Sequence, residues 1–119
     1  MGRDHEEGRR GEAAAARHLR RRGWTILAAR HRAAGGELDL VAARGDVVAF
    51  CEVKARGDRA ALIEPVTTAQ RERIRRTAEA YLAARPELAD RMVRLDLLTV
   101  GLSRFRARVR HLQGAVGES

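Results

Sequence analysis

Residues 36–56 read GELDLVAARGDVVAFCEVKAR, a pattern that predicts a β-hairpin. Two apolar runs, residues 38–43 and 47–55, are separated by the turn-forming triplet Arg44-Gly45-Asp46. If Gly45 and Asp46 form a two-residue turn, Arg44 pairs with Val47, and the numbers of opposed residues sum to 91. Because a slip of one residue would turn every side chain to the other face, this register decides which side chains meet.

The register brings charged side chains together at the open end of the hairpin. Asp39 faces Glu52 directly, and directly opposed Cβ atoms lie about 4.5–5.5 Å apart. One step farther from the turn, Glu37 faces Lys54. The period of two along a strand places all four on one face, which continues toward the turn as apolar residues: Val41, Ala43, Val48 and Phe50. The opposite face is apolar throughout: Leu38, Leu40, Ala42, Ala49, Cys51 and Val53. We therefore expect a hairpin covered on both faces, with a charged cluster at one end.

The charged cluster has two interpretations. Two partly buried carboxylates repel each other, and Mg²⁺ or Mn²⁺ would take Asp39 and Glu52 as oxygen ligands. Lys54 would then help to hold an attacking water or balance charge in a transition state. Alternatively, the cluster is a structural ladder of salt bridges, with Glu37 on Lys54 and Asp39 on an arginine. The sequence has a single lysine among 24 lysines and arginines, and a lysine's pKa responds to its surroundings, which favours a chemical role.

Two helices are predicted on either side of the hairpin in the sequence. Residues 8–22 are rich in alanine and form a helix that stops at Gly23. Glu12 lies near its start, where an acid either complements the helix dipole or adds to the charged cluster. Thr67-Thr68-Ala69-Gln70 is typical of a capping box and opens a second helix to about residue 84.

The predicted fold is α/β, a mixed β-sheet flanked by helices in the order αβββαββ. Besides the hairpin, strands are predicted at residues 24–29, 92–100 and 104–112. We expect a disordered N-terminus (1–7), a single domain (8–112) and a flexible C-terminal tail (113–119).

Arginines mark several of these elements as candidate contacts for nucleic acid. The last strand alternates Phe105, Ala107 and Val109 with four arginines: Arg104, Arg106, Arg108 and Arg110. These arginines either protect an edge strand from pairing with another chain or bind phosphates. The same two interpretations apply to the arginines of the second helix. We expect four residues to contact nucleic acid: Arg32, Arg56, Arg71 and Arg75.

Composition narrows the class of protein. The 119 residues carry a formal charge of +8 with a pI near 11.3, which suits a polyanionic partner, although genomic base composition can also enrich arginine. No segment reads as a membrane span or secretory signal, and the single cysteine fits a reducing cytoplasm, so we expect a cytoplasmic protein without membrane contact. With 3% aromatic residues, we expect no stacking surface for single strands.

The motifs resemble those of a known family. Gly36-Glu37-Leu38-Asp39-Leu40-Val41, followed by Glu52-Val53-Lys54-Ala55-Arg56, resembles the GEIDLI…EVKxR signature of the bacterial YraN family, UPF0102. The resemblance extends over about residues 8–112 and includes Gly11-Glu12 and Arg94-Leu95-Asp96. That family is similar to archaeal Holliday-junction resolvases and implies the restriction-endonuclease-like PD-(D/E)xK fold.

The resemblance implies roles at the matching positions. Asp39, Glu52 and the backbone carbonyl of Val53 would bind the metal. Lys54 would be the catalytic lysine, with Glu12 as a further acid and Glu37 orienting Lys54 or an arginine. The chain departs from the usual pattern at three positions: Arg30, His31 and Gln70. The change at Gln70 puts a direct phosphate contact by the second helix in doubt.

The leading functional hypothesis is a Mg²⁺- or Mn²⁺-dependent endodeoxyribonuclease, a hydrolase acting on branched or structured DNA. A resolvase-like enzyme that cuts two strands symmetrically implies a homodimer. The alternative is a nucleic-acid-binding module that keeps the nuclease fold without catalysis. A third hypothesis is a structural partner in a repair or recombination assembly, where the arginines meet an acidic protein.

Overall fold

The computed structural model describes residues 3–57 and 66–115, and for residues 3–5 only the backbone. The elements follow the predicted order αβββαββ: α1 (Arg3–Arg21), β1 (Thr25–Ala33), β2 (Gly36–Arg44), β3 (Val47–Gly57), α2 (Thr68–Ala83), β4 (Met92–Leu102) and β5 (Ala107–Leu112). A short 3₁₀ turn, Pro86–Leu88, precedes β4. The predicted α/β class is confirmed.

The strands of the described residues form one five-stranded sheet in the order β1-β2-β3-β4-β5. Chain neighbours β1–β2, β2–β3 and β4–β5 pair antiparallel, whereas β3 and β4 pair parallel across the α2 crossover. A parallel pair needs such a crossover because the chain must return to the end of the sheet where the first strand began before the second strand can start. The sheet is therefore mixed, as predicted.

The register predicted for the β2–β3 hairpin is confirmed from the turn as far as Leu40. Arg44 pairs with Val47, and the pairing continues to Leu40 opposite Cys51, so residue numbers sum to 91. Gly45 adopts a φ of 57°, in the left-handed region that glycine enters without a Cβ penalty. Beyond Leu40 and Cys51 the regular ladder ends.

The helices cover opposite faces of the sheet. Leu19 and the small residues of α1 pack with Leu40, Ala49 and Leu98 on one face. On the other face, Ile74 and Tyr81 of α2 pack with members of a second apolar cluster: Val41, Val48, Phe50 and Leu95. Neither helix described here is long and apolar enough to cross a membrane.

One face assignment was wrong. Leu38 is buried in the cluster beneath α2 rather than with Leu40 in the cluster beneath α1. Strict alternation therefore breaks at Asp39, between the two leucines. The position opposite Asp39 in β1 is Arg30, between the pairs Ala29–Leu40 and His31–Leu38. Arg30 has a φ of 54°, so the backbone is locally irregular on both strands at this point.

The ends of several elements differ from the predicted boundaries. The first helix begins at Arg3 rather than Gly8, so residues 3–7 continue the helix, while residues 1 and 2 of the predicted disordered segment lie outside the described residues. Gly23 ends the helix with a φ of 89°, as predicted. The predicted capping box is confirmed, since Thr67 and Gln70 hydrogen-bond to each other's backbone N–H groups.

A buried aspartate fastens the segment after β5. Asp96 is inaccessible to solvent and accepts hydrogen bonds from both Arg94 Nε and Nη2 at 3.0 Å. His111 Nε2 lies 2.6 Å from Asp96 Oδ2, and the Gly114 N–H donates to Oδ1 at 2.8 Å. These four residues, the Asp96 cluster, anchor the start of the predicted flexible tail; residues 116–119 of that tail lie outside the described residues.

Residues 104–106 were predicted to begin the last strand, but they belong to the connection between β4 and β5. Residues 103–106, the hairpin tip, form a tight connection in which the Ser103 N–H donates to the Arg106 carbonyl at 2.9 Å. Phe105 was expected to share the apolar face of β5 with Val109. Val109 does pack against the cluster beneath α1, but the side chain of Phe105 is 86% exposed.

The contact between α1 and β3 depends on a glycine. A Cβ placed on Gly11 would overlap the Cβ of Ala55, so Gly11→Ala forces helix and strand apart. We expect this variant to lower the free energy of unfolding by about 1–3 kcal/mol, measured by chemical denaturation.

Gly8→Ala is the matched control in the same helix. A Cβ at Gly8 meets nothing within 4 Å, so this change should be neutral or stabilising by up to about 1 kcal/mol through helix propensity. Equal unfolding midpoints for the two variants would contradict the close approach of α1.

Candidate functional site

The acidic pair lies where β2 and β3 stop pairing. Instead of a backbone carbonyl, the carboxylate of Asp39 accepts the Val53 N–H, at 2.7 Å from Oδ2. This hydrogen bond satisfies an amide that would otherwise lack a partner, and it fixes the Asp39 side chain against β3. The carboxyl groups of Asp39 and Glu52 interact with each other there, and both residues are partly buried.

Burial and mutual repulsion disfavour two negative charges in this pair. Burial, followed by the charge of Glu52, raises the pKa of Asp39 to about 8. Burial also raises the pKa of Glu52, although Asp39, Lys54 and Arg73 act to lower it. The pair therefore binds a proton readily, and a divalent cation would satisfy the same surplus of negative charge.

The donor set suits a hard cation that keeps several waters. Within the described residues, no group of three or more His, Cys, Asp or Glu side chains is arranged to hold a metal ion. Mg²⁺ commonly uses one or two carboxylates and completes its shell with water and substrate oxygens. Asp39 and Glu52 fit that pattern, and a ligand role for the Val53 carbonyl stays a prediction.

Lys54 is buried beside this pair, with 5% of its surface exposed. Its charge acts to lower the pKa of Glu52, which stands on the same face of β3. Across the parallel pair it neighbours Thr99 of β4. Thr99 is buried too, and within the described residues its Oγ1 has no hydrogen-bond partner. Lys54 is thus held by the sheet rather than swinging in solvent.

Glu12 is near the acidic pair but engaged elsewhere. Its negative charge contributes to raising the pKa of Asp39, which places α1 over the same end of the sheet. However, Arg30 Nε donates to Glu12 Oε1 at 2.6 Å. This ion pair engages the Glu12 carboxylate, so Glu12 lies near the acidic pair without being free to bind a metal there.

Glu37 and Arg32 lie at the mouth of the site. They line an open cavity of about 690 Å³ together with Asp39, Glu52 and Arg73. Arg32 Nε lies 3.5 Å from Glu37 Oε2, but the Arg32 side chain is 84% exposed, so this ion pair contributes little to stability. The lining of the cavity therefore combines carboxylates with arginines.

Sequence reasoning left two arginines out of the site. Arg73 of α2 lines the acidic cavity and acts to lower the pKa of Glu52. Gly36 is the residue in the sequence that could have indicated this contact. A Cβ on Gly36 would overlap Thr77 Oγ1 and lie 3.4 Å from the Arg73 carbonyl, so α2 packs directly against β2 at this point. Arg30 was noted only as a departure from the family pattern, and the structure shows that it binds Glu12.

The other predicted arginines are spread over the surface. Arg56 lines a second cavity of about 420 Å³ with Glu12 and Val53, adjoining the acidic pair. Arg71 is at the start of α2, where its Nη2 lies 3.4 Å from Thr68 Oγ1. Arg75 pairs with Glu72 at 3.9 Å and lines a different cavity with Val93 and Leu95. The structure therefore groups Arg32 and Arg56 with the site, and Arg75 apart from it.

Replacing Asp39 tests the charge of the acidic pair. In EDTA at pH 8, we expect Asp39→Asn to raise the free energy of unfolding by about 1–3 kcal/mol, because an amide accepts the Val53 N–H without adding a charge. The folded wild type holds a proton that the unfolded chain has lost, since the pKa of Asp39 is raised from 3.8 to about 8. Wild-type stability should therefore fall as the pH rises between those values.

The fall should be smaller in the variant, because only Glu52 of the acidic pair still contributes to it, and other titrating groups such as His18 are common to both proteins. Mg²⁺ or Mn²⁺ should raise the thermal midpoint of the wild type and leave that of Asp39→Asn unchanged. Parallel pH profiles in the two proteins would show that the acidic pair carries no excess charge.

Known proteins are similar to this chain over most of its length. A model of the family described as "Uncharacterised protein family UPF0102" matches residues 11–100. A UPF0102 protein of Paramagnetospirillum magneticum is 48% identical over 97 residues, covering 78% of this chain and 75% of the relative. One from Azorhizobium caulinodans is 42% identical over 111 residues, covering 93% and 82%. One from Chelativorans is 39% identical over 113 residues, covering 95% and 91%. The resemblance inferred from the hairpin motifs is confirmed, and the chain belongs to the uncharacterised protein family UPF0102.

Proposed function

We propose that this protein is a metal-dependent endonuclease that hydrolyses phosphodiester bonds in branched or otherwise structured DNA. The observation that carries the proposal is the acidic pair Asp39–Glu52 with the buried Lys54 beside it. A structural salt bridge alone would leave the carboxylates with ordinary or lowered pKa values. Their pKa values are raised, as expected for a site built to receive a cation.

Each residue of the site has a distinct task. Asp39 and Glu52 would hold Mg²⁺ or Mn²⁺, and the ion would polarise a phosphoryl oxygen and lower the pKa of water. The Val53 N–H keeps the Asp39 carboxylate in place. Lys54 provides a fixed positive charge near Glu52, where low dielectric strengthens its action on the negative charge that develops on the phosphate oxygens.

Basic residues extend from the site across the sheet. Paired positions on neighbouring strands point to the same side, so Lys54, Thr99 and Arg110 form a row on the α2 face. Arg110 is two strand spacings from Lys54, about 10 Å. Arg110 and Arg108 are exposed, and with a net charge of +8 they favour contact with a phosphate backbone. Cutting both strands of a symmetrical junction requires two sites, so the proposal includes a homodimer.

One observation favours the alternative of a binding module without catalysis. The carboxylate of Glu12 is occupied by Arg30, which reduces the number of acids able to reach a metal. Such a module would bind nucleic acid with a steep salt dependence and would be indifferent to loss of the Glu52 charge.

A cleavage assay separates the two functions. Labelled four-way junction, flap and linear duplex are incubated with Mn²⁺ or Mg²⁺, with EDTA as the blank. We expect metal-dependent cutting by the wild type, and a loss of about 100-fold or more in rate for Glu52→Gln, which weakens the hold on the metal, and for Lys54→Met, which removes a positive charge that stabilises the transition state. Methionine fills the space of the buried lysine stem, so Lys54→Met is preferable to alanine.

Arg91→Met is the charge-matched control. Arg91 lies at the other end of β3, where its Nη1 donates to the Gly45 carbonyl at 3.2 Å, so it should cut like the wild type. If the wild type and Glu52→Gln bind DNA equally and neither cuts in any metal, catalysis is abandoned in favour of the binding module.

A further inference from the structure

The hairpin tip (residues 103–106) presents an aromatic ring to solvent. Phe105 is 86% exposed, more than any other large hydrophobic residue in the described part of the chain; Met92 follows at 64%. Leaving a phenylalanine in water forgoes the stabilisation that burial gives it. The chain has two phenylalanines, and the other, Phe50, is fully buried. Trp24 and Tyr81 are buried as well, so Phe105 is a single ring available to a base and not the extended stacking surface that the low aromatic content argues against.

The ring is held out by an ordered backbone. The Ser103 N–H donates to the Arg106 carbonyl at 2.9 Å, which closes the tip. Arg10 of α1 donates from Nη2 to the Ser103 carbonyl at 2.9 Å, which ties the tip to the helix. The Arg104 guanidinium carbon lies 5.3 Å from the centre of the Phe105 ring. These contacts fix the backbone around the ring and leave the ring in solvent.

The tip lies beyond the acidic pair in the direction in which β3 and β4 run, about 20 Å farther along β4. β3 and β4 run parallel, with Glu52 opposite Leu97 and Gly57 opposite Leu102. Both strands therefore run from the level of the acidic pair toward the tip, which begins at Ser103. On α1, Arg10 contacts the tip while Glu12, two residues on, lies near Asp39.

The chain on both sides of the tip carries basic and no acidic side chains. Residues 97–117 contain no aspartate or glutamate. The exposed arginines on and beside the tip are Arg104, Arg106, Arg108 and Arg110. This combination of an apolar wedge and flanking arginines is the chemistry with which proteins enter a step between unstacked bases while holding the adjacent phosphates.

We propose that Phe105 stacks on exposed bases at a break in the DNA helix, with Arg104 and Arg106 on the flanking phosphates. This inference rests on the proposed nuclease function and specifies the feature of the DNA that the protein recognises, which is a branch point. In continuous duplex the ring must first unstack a base step, whereas at a branch point the bases are already open. Phe105 therefore selects branched over linear DNA, and the metal site does not.

Binding without cleavage tests the wedge. In EDTA, fluorescence anisotropy compares a four-way junction with a fully paired duplex of the same sequence and length. We expect the wild type to prefer the junction and Phe105→Ala to bind the junction about 10-fold more weakly, with duplex affinity unchanged. Phe105→Trp should keep the preference, since a larger ring stacks as well. A 2-aminopurine at the branch point should change its fluorescence with the wild type and not with Phe105→Ala.

Met92→Ala is the matched control, because it removes an exposed apolar side chain at the other end of β4. It should bind both DNAs like the wild type. Arg104→Ala and Arg106→Ala should weaken binding to both DNAs and reduce the salt slope by about 1 each.

The outcomes distinguish failure of the wedge from failure of the function. If the wild type binds neither DNA, both the proposed function and the wedge fail. If Phe105→Ala keeps the wild-type preference for the junction, the wedge alone is overturned. Loss of binding to anionic lipid vesicles in Phe105→Ala, with DNA binding intact, would assign the tip to a membrane surface instead and also overturn the wedge.

Discussion

Asp39 uses its carboxylate to hold the backbone of the neighbouring strand, and the geometry of the site depends on that hydrogen bond. Without it the Val53 N–H would lie unpaired where β2 and β3 diverge, at a cost of about 1–3 kcal/mol for a buried donor. Burial, and after it the charge of Glu52, disfavour ionisation of the same carboxylate and raise its pKa. The hydrogen bond to Val53 therefore favours a charged Asp39, whereas burial and Glu52 disfavour that charge. A bound cation would neutralise the charge and leave the hydrogen bond in place.

The helices add to this arrangement through close approaches that only small residues permit. Gly11 lets α1 approach β3 at Ala55, and Gly36 lets α2 approach β2 at Thr77 and Arg73. The first contact brings Glu12 and Arg10 to the end of the sheet where the hairpin opens, and the second brings Arg73 over the acidic cavity. The charges around the acidic pair are thus set by backbone packing at two glycines.

The sequence was sufficient where local geometry determines the outcome. Gly45 and Asp46 fixed the hairpin register, and the reciprocal pattern of Thr67 and Gln70 fixed the start of α2. It failed at Leu38, because alternation assumes a regular strand and the backbone is irregular between Arg30 and Asp39. It failed at Phe105 because alternation with arginine is equally compatible with a strand and with an exposed tip. The ion pair between Glu12 and Arg30 could not be predicted, because the two residues are 18 positions apart and lie in different elements, so no periodic pattern connects them.

The Asp96 cluster limits how short the folded chain can be. β5 is an edge strand whose outer side has no partner strand in the described residues, so it depends on β4 and on the groups gathered around Asp96. One of the donors to this buried carboxylate is the backbone N–H of Gly114, beyond the last strand residue. A chain cut after Leu112 would keep every strand yet leave an oxygen of a buried anion short of a donor. The stabilising contacts of the domain therefore extend to at least Gly114, and a residue beyond the last strand helps to neutralise a buried carboxylate.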